Sequence, residues 1–164
     1  MPDKEKKLDD LFLDTLKDIY FAEKQILRAL PKMAKAAVSD DLRKAFEDHR
    51  SETEEQVQRL ERVFELIDKP ARGKTCEAIQ GLVEEGKEIM EEFEGSDALD
   101  AGLVSAAQAV EHYEIARYGT LKTWAQQLGI KEAVGLLDKT LQEEKKADEL
   151  LNRLAMSSVN KKAA

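Results

Sequence analysis

Apolar residues recur at intervals of three and four along most of this chain, the spacing that puts them on one face of an α-helix. Leu8, Leu11, Phe12, Leu16, Ile19, Ile26, Leu27, Leu30 and Met33 define a first helix over 8–37, with Pro31 predicting a bend in its later part. Leu42, Phe46, His49, Val57, Leu60, Val63, Phe64 and Ile67 define a second over 40–67. Ser39 is placed to cap it, with Asp40 and Asp41 in its first turn. The segment 74–93 reads as a shorter amphipathic helix, with Cys76, Ile79, Leu82, Val83 and Met90 as its apolar positions. A long helix over 97–128 follows, capped by Ser96 or Asp97 and stopped by Gly129. The last runs over 131–156, leaving 157–164 as a frayed tail. No stretch alternates as a strand does.

Loop lengths set the topology. Short connections make the first two helices one antiparallel hairpin and the last two another. The residues between the hairpins include the 74–93 helix, which at 1.5 Å per residue is about 28 Å long and can return the chain from one end of a bundle to the other. The predicted fold is therefore all-α: a single ferritin-like domain over 1–164, with four bundle helices and an extra helix in the crossover.

Composition agrees with long helices having solvated outer faces: 42% of the 164 residues are hydrophobic and 37% charged. With a net charge of −8 and no basic cluster among aromatics, nucleic acid is excluded as a partner. No apolar run approaches a membrane span, and no signal-type core follows the start, so a cytoplasmic location is expected. Cys76 is the only cysteine, which rules out an internal disulfide.

Acidic residues interrupt the apolar stripes. In the run Ala106–Leu121 the inward positions include Ala107, Val110, Glu114, Tyr118 and Leu121, with Glu111 one turn before Glu114. An unpaired buried carboxylate costs several kcal/mol, so such a position needs a compensating partner. An offset of 91 residues lays Glu23 on Glu114, Ile19 on Val110, Leu30 on Leu121, Phe46 on Leu137 and Glu52 on Glu143, while an offset of 92 pairs Glu52 with Glu144. The four long helices have midpoints near 22, 53, 112 and 143, beside Glu23, Glu52, Glu111/Glu114 and Glu143/Glu144. Antiparallel packing would bring all of these to one depth of the core. Carboxylates gathered there coexist only when protonated, paired with cations such as Arg28, Arg117 or Lys145, or bound to metal. His49 lies three residues before Glu52 and shares its face. His112, two residues before Glu114, points elsewhere and stays outside the set.

The segments Ala22-Glu23-Lys24-Gln25, His49-x-x-Glu52-Thr53, Val110-Glu111-His112-Tyr113-Glu114-Ile115-Ala116 and Glu143-Glu144-Lys145 with Asp148 resemble the YciE/YciF family of bacterial stress-associated proteins, within the ferritin-like superfamily. The resemblance runs from about Leu8 to Ala155. It implies a carboxylate-bridged centre for two divalent ions, Fe or Mn, in a homodimer, with ligands among Glu23, His49, Glu52, Glu111, Glu114, Glu143, Glu144 and Asp148. This chain departs from the superfamily pattern, in which each hairpin supplies one Glu and a Glu-x-x-His pair. Here the second helix has the order reversed and the fourth has no histidine, with Asp148 offered as its substitute. Three functions stay open: peroxide or dioxygen chemistry with an external electron donor, metal binding without turnover, or a helical assembly module whose acidic layer fixes register.

Overall fold

A computed structural model describes residues 4–164. Five long helices run in order: α1 (Leu8–Ala36), α2 (Asp40–Leu66), α3 (Glu77–Glu92), α4 (Leu99–Gln127) and α5 (Lys131–Leu154). A π-helical turn over Ala155–Val159 and a short α6 (Asn160–Ala163) complete the chain, and no strand occurs among the described residues. Helix α1 packs on α2 and α4, and α5 packs on α2 and α4, so the four helices close a bundle. Helix α3 lies outside it, across α4 and α1.

The ends of the helices follow from local chemistry. Ser39 caps α2, its Oγ accepting from the Leu42 N–H at 3.3 Å. Gly129 takes a φ of +74°, which lets Gly129 and Ile130 donate back to Gln126 and Ala125 at 3.1 and 3.0 Å and closes α4 as a Schellman motif. Pro31 sits inside α1, which nonetheless continues to Ala36. Cys76 differs from its expected role as a helical position. It precedes α3 as the N-cap, with its Sγ accepting from the Ile79 N–H at 3.4 Å. Ser96 and Asp97 do not cap α4 either. The Ser96 hydroxyl accepts from the Ala98 N–H, and α4 starts two residues later than expected, at Leu99.

Asp100 shows how the crossover works. Helix α2 has 27 residues, about 40 Å, and carries the chain away from Ser39. Yet Asp100, in the first turn of α4, accepts hydrogen bonds from Val38 and Ser39 N–H at 2.9 and 2.8 Å. The segment between has therefore returned to the α1–α2 loop, so α4 runs antiparallel to α1. On the way, Lys74 donates its N–H to the Lys17 carbonyl, and a Cβ at Gly73 would stand only 3.1 Å from that of Phe21. Asp100 is buried, and Asp100→Ala would leave two backbone donors without an acceptor, a loss of about 2 kcal/mol. We expect thermal denaturation to show a Tm lower by about 4–8 °C, with Asp100→Asn recovering part of the loss.

The tail corrects the expectation of fraying. After Leu154 the backbone stays helical, and the π turn carries Val159 to a buried position at 4% exposure. The wider turn shifts the helical register, so an apolar residue beyond Ala155 faces the neighbouring α4.

Candidate metal centre

Halfway along the bundle, the core stops being apolar. Glu23 on α1, Glu111 and Glu114 on α4, and Glu144 on α5 are each 0% exposed, and His49 on α2 is 6% exposed. One ligand atom from each of His49, Glu111, Glu114 and Glu144 lies within 4.8 Å of all the others. His49 Nδ1 stands 3.0 Å from Glu111 Oε1, and its Nε2 stands 3.6 Å from Glu144 Oε2. Glu23 joins from the opposite side, close enough to Glu114 to share a proton with it. Helical periodicity explains the placement, since Glu111 and Glu114 are three apart and both face inward from α4.

The polar atoms here lack partners. Among the described residues, the buried side-chain oxygens and nitrogens without a hydrogen bond are both oxygens of Glu23, Glu111, Glu114 and Glu144, His49 Nε2, Gln56 Oε1 and the Tyr118 hydroxyl. All belong to this one region. Ionised carboxylates only accept, so side by side they cannot satisfy one another. They must share protons or hold a cation.

Protons fill that role in the metal-free chain. Burial, with the charge of Glu144 beside it, pushes the Glu23 carboxyl up to about 8. Burial likewise raises Glu111 and Glu114 well above the ordinary carboxylate range. Glu144 is the exception: burial opposes its charge, but the neighbouring Glu111, His49 and Glu114 outweigh that and bring it down to about 2. Burial also disfavours a charged His49, yet Glu111 and Glu144 raise it well above its usual value. Burial thus favours the protonated form of Glu23, Glu111 and Glu114, while the neighbours of Glu144 and His49 favour their charged forms.

Three expected site residues need placing separately. Glu52 is half-buried at the edge of the cluster, raised first by burial and then by Glu143. Glu143 turns away. Its Oε2 accepts from Arg59 Nη2 at 3.0 Å, its Oε1 accepts from Arg59 Nη1, and Gln56 Nε2 donates to that same Oε1 at 3.3 Å. Asp148 also stays out of the cluster, accepting instead from Gln108 at 3.3 Å and lying 3.2 Å from the exposed His112. It therefore does not replace the histidine missing from the last helix: four residues beyond Glu144, its side chain is drawn to the α4 surface. Glu111 is thus inside the cluster and Glu52 at its rim.

Two neighbours escaped sequence reasoning. Arg59, not Arg28, Arg117 or Lys145, is the internal cation, also reaching Thr140 Oγ1 at 3.1 Å and Glu55 at 3.1 Å. Arg117 instead lies over the Tyr113 ring. The available signal was the polar run His49, Glu52, Gln56, Arg59 along one face of α2. Tyr118, one turn after Glu114, is fully buried with its hydroxyl unpartnered, and burial together with the charges of Glu23, Glu114 and Glu144 raises it well above its usual value. Breaking the Arg59–Glu143 pair by Arg59→Met should cost about 2–3 kcal/mol in urea unfolding, because a mostly buried Glu143 is left without its partner. Arg59→Met/Glu143→Leu should restore most of it.

These features define a helical bundle with a buried histidine–carboxylate cluster. The chain belongs to the family described as a domain of unknown function, DUF892, whose model matches residues 7–164. It is 46% identical over 159 residues to the protein YciF of Escherichia coli (strain K12), covering 96% of each chain. The crystal structure of the E. coli stress protein YciF superposes with a TM-score of 0.91 at 46% identity, over 96% of this chain and 99% of that one. YcfI of Rhodopseudomonas palustris gives 0.88 at 45% identity, over 93% and 97%. A protein of Xanthomonas campestris shares the fold, with a TM-score of 0.75 at 23% identity over 96% of each chain. No helix among the described residues is long and apolar enough to cross a membrane.

Proposed function

We propose that this chain is a dimetal-carboxylate protein of the stress response. Glu23, His49, Glu111, Glu114 and Glu144 hold two divalent ions, Fe or Mn, with Glu52 at the entrance. The observation that carries this reading is the convergence of unpartnered buried carboxylate oxygens on one region of the core. The donor set fits: four carboxylates balance the charge of two divalent ions, and an oxygen-rich set with one imidazole suits Fe or Mn better than Cu or a structural Zn. E. coli YciF, which the chain matches nearly end to end, is described as a stress protein.

Bound ferrous ions would supply electrons to peroxide or dioxygen. The chain's own residues would exclude water and hold the ligands together in the core. With no Cys-x-x-Cys module in the sequence, re-reduction falls to an external donor. A cytoplasmic homodimer is the setting that the lone cysteine and the family resemblance favour. Complete burial of the four carboxylates also favours a second reading, metal retention without turnover.

Iron oxidation separates the two. Ferrous iron is added anaerobically at two ions per chain, peroxide is admitted, and ferric absorbance is followed. Wild type should oxidise iron at least about tenfold faster than Glu23→Ala/Glu114→Ala. Metal that binds but oxidises no faster than in that variant would leave retention as the function. Protein that takes up neither Fe nor Mn would overturn both readings.

A further inference from the structure

Helices α1, α3 and α4 enclose a cavity of about 240 Å³ that extends outward from His49 and Glu111. Its walls are mainly aliphatic, with Ile26 and Leu30 from α1, Leu82 and Met90 from α3, and Val110 from α4. Two polar features break this lining. At the inner wall stand His49 and Glu111, the latter fully buried with unpartnered oxygens. Arg28, Lys32 and Lys87 also line the cavity, yet all three are exposed, which places them at its mouth. Among the described residues none of these three cations takes part in an ion pair.

Three cations from two helices around one apolar opening make a local attraction for an anion. An apolar cavity of about 150 Å³ holds benzene, so one of 240 Å³ takes roughly ten carbons. We propose that this cavity binds an aliphatic carboxylate of about eight to ten carbons, its chain lying along Ile26, Leu30, Leu82, Met90 and Val110 and its carboxylate held by Arg28, Lys32 and Lys87. Small residues let α3 and α4 pack closely beside it: a Cβ at Gly86 would stand 3.6 Å from that of Ala106, ordinary contact distance.

Chelator-treated protein is the sample, so that decanoate is the one added ligand. Titration calorimetry with sodium decanoate below its micellar range should show one saturable site with a Kd on the order of 100 µM. Octanoate, shorter by two methylenes, should bind about tenfold more weakly. Arg28→Gln/Lys87→Gln, surface changes that leave the core intact, should weaken decanoate binding by about tenfold. Ala106→Phe should abolish it by filling the cavity, and where that variant does not fold, the rim variant decides. Glu114→Leu should bind decanoate as wild type does, which keeps a failure of metal binding distinct from a failure here. The proposal is overturned if decanoate gives no saturable heat, or if affinity ignores both chain length and the rim cations. It is equally overturned if the rim variant changes the sedimentation coefficient while leaving decanoate affinity unmoved, because the face is then covered by a second copy.

Discussion

Loading the metal-free protein with Mn(II) near pH 6.5 should release roughly four protons per chain. Three come from Glu23, Glu111 and Glu114, whose carboxyls burial keeps protonated, and one from His49, held charged by Glu111 and Glu144. Calorimetry in buffers of different ionisation enthalpy counts them directly. Apparent affinity should therefore climb steeply with pH, by up to about four decades per unit for the pair of ions. Release of fewer than two protons would mean that the ligands are not these groups.

The same groups set the stability of the metal-free chain. A carboxyl whose folded pKa exceeds its unfolded value makes the folded chain bind more protons, so stability falls as pH rises between the two values. For Glu23 that window runs from 4.5 to about 8, and the loss across it is on the order of 4 kcal/mol. His49 acts in the same direction: its contribution is complete below its ordinary value of 6.5 and disappears as pH rises through its elevated folded one. Glu144 acts oppositely but lower, its contribution being lost as pH falls from 4.5 towards 2. Thermal unfolding without metal should thus be most favourable to the fold near pH 4.5–5 and decline towards pH 8, and saturating Mn(II) should reverse the decline.

A second large effect is expected from Glu114→Leu. The side chain is fully buried at the centre of the cluster, and its oxygens have no partner in the metal-free chain. An apolar residue of similar volume removes one repelling carboxyl and should stabilise the metal-free protein by about 1–4 kcal/mol at pH 8, read as a rise in the urea midpoint. It should also abolish uptake of both ions. Greater stability with lost metal marks a residue kept for its chemistry rather than its packing. Destabilisation with unchanged metal content would assign Glu114 to register instead.

Much of this was legible in the residues. Spacing by three and four produced the long helices to within a few positions, and short loops produced the hairpins. The level of Glu23, Glu114 and the Glu143/Glu144 pair followed from helix midpoints. The repeat at 91 residues is reflected in Glu23 meeting Glu114 across the core.

Other decisions needed the packed chain. Glu143 and Glu144 are adjacent and about 100° apart on the helix, so periodicity alone cannot say which one turns inward. The rotation of α5 is set by all its core contacts together, and by Arg59, which takes Glu143 from a helix 84 positions away in sequence. Asp148 shares a nominal face with Glu144 yet is claimed by Gln108 and His112 on α4. The tail was read as polar and frayed, but a single π turn re-registers it and buries Val159. The sequence by itself determined which helices form and at what depth their acidic residues lie, because those depend on local spacing and length. Only the tertiary structure decided which carboxylates face one another, because that depends on helix rotation and on partners far apart in the chain.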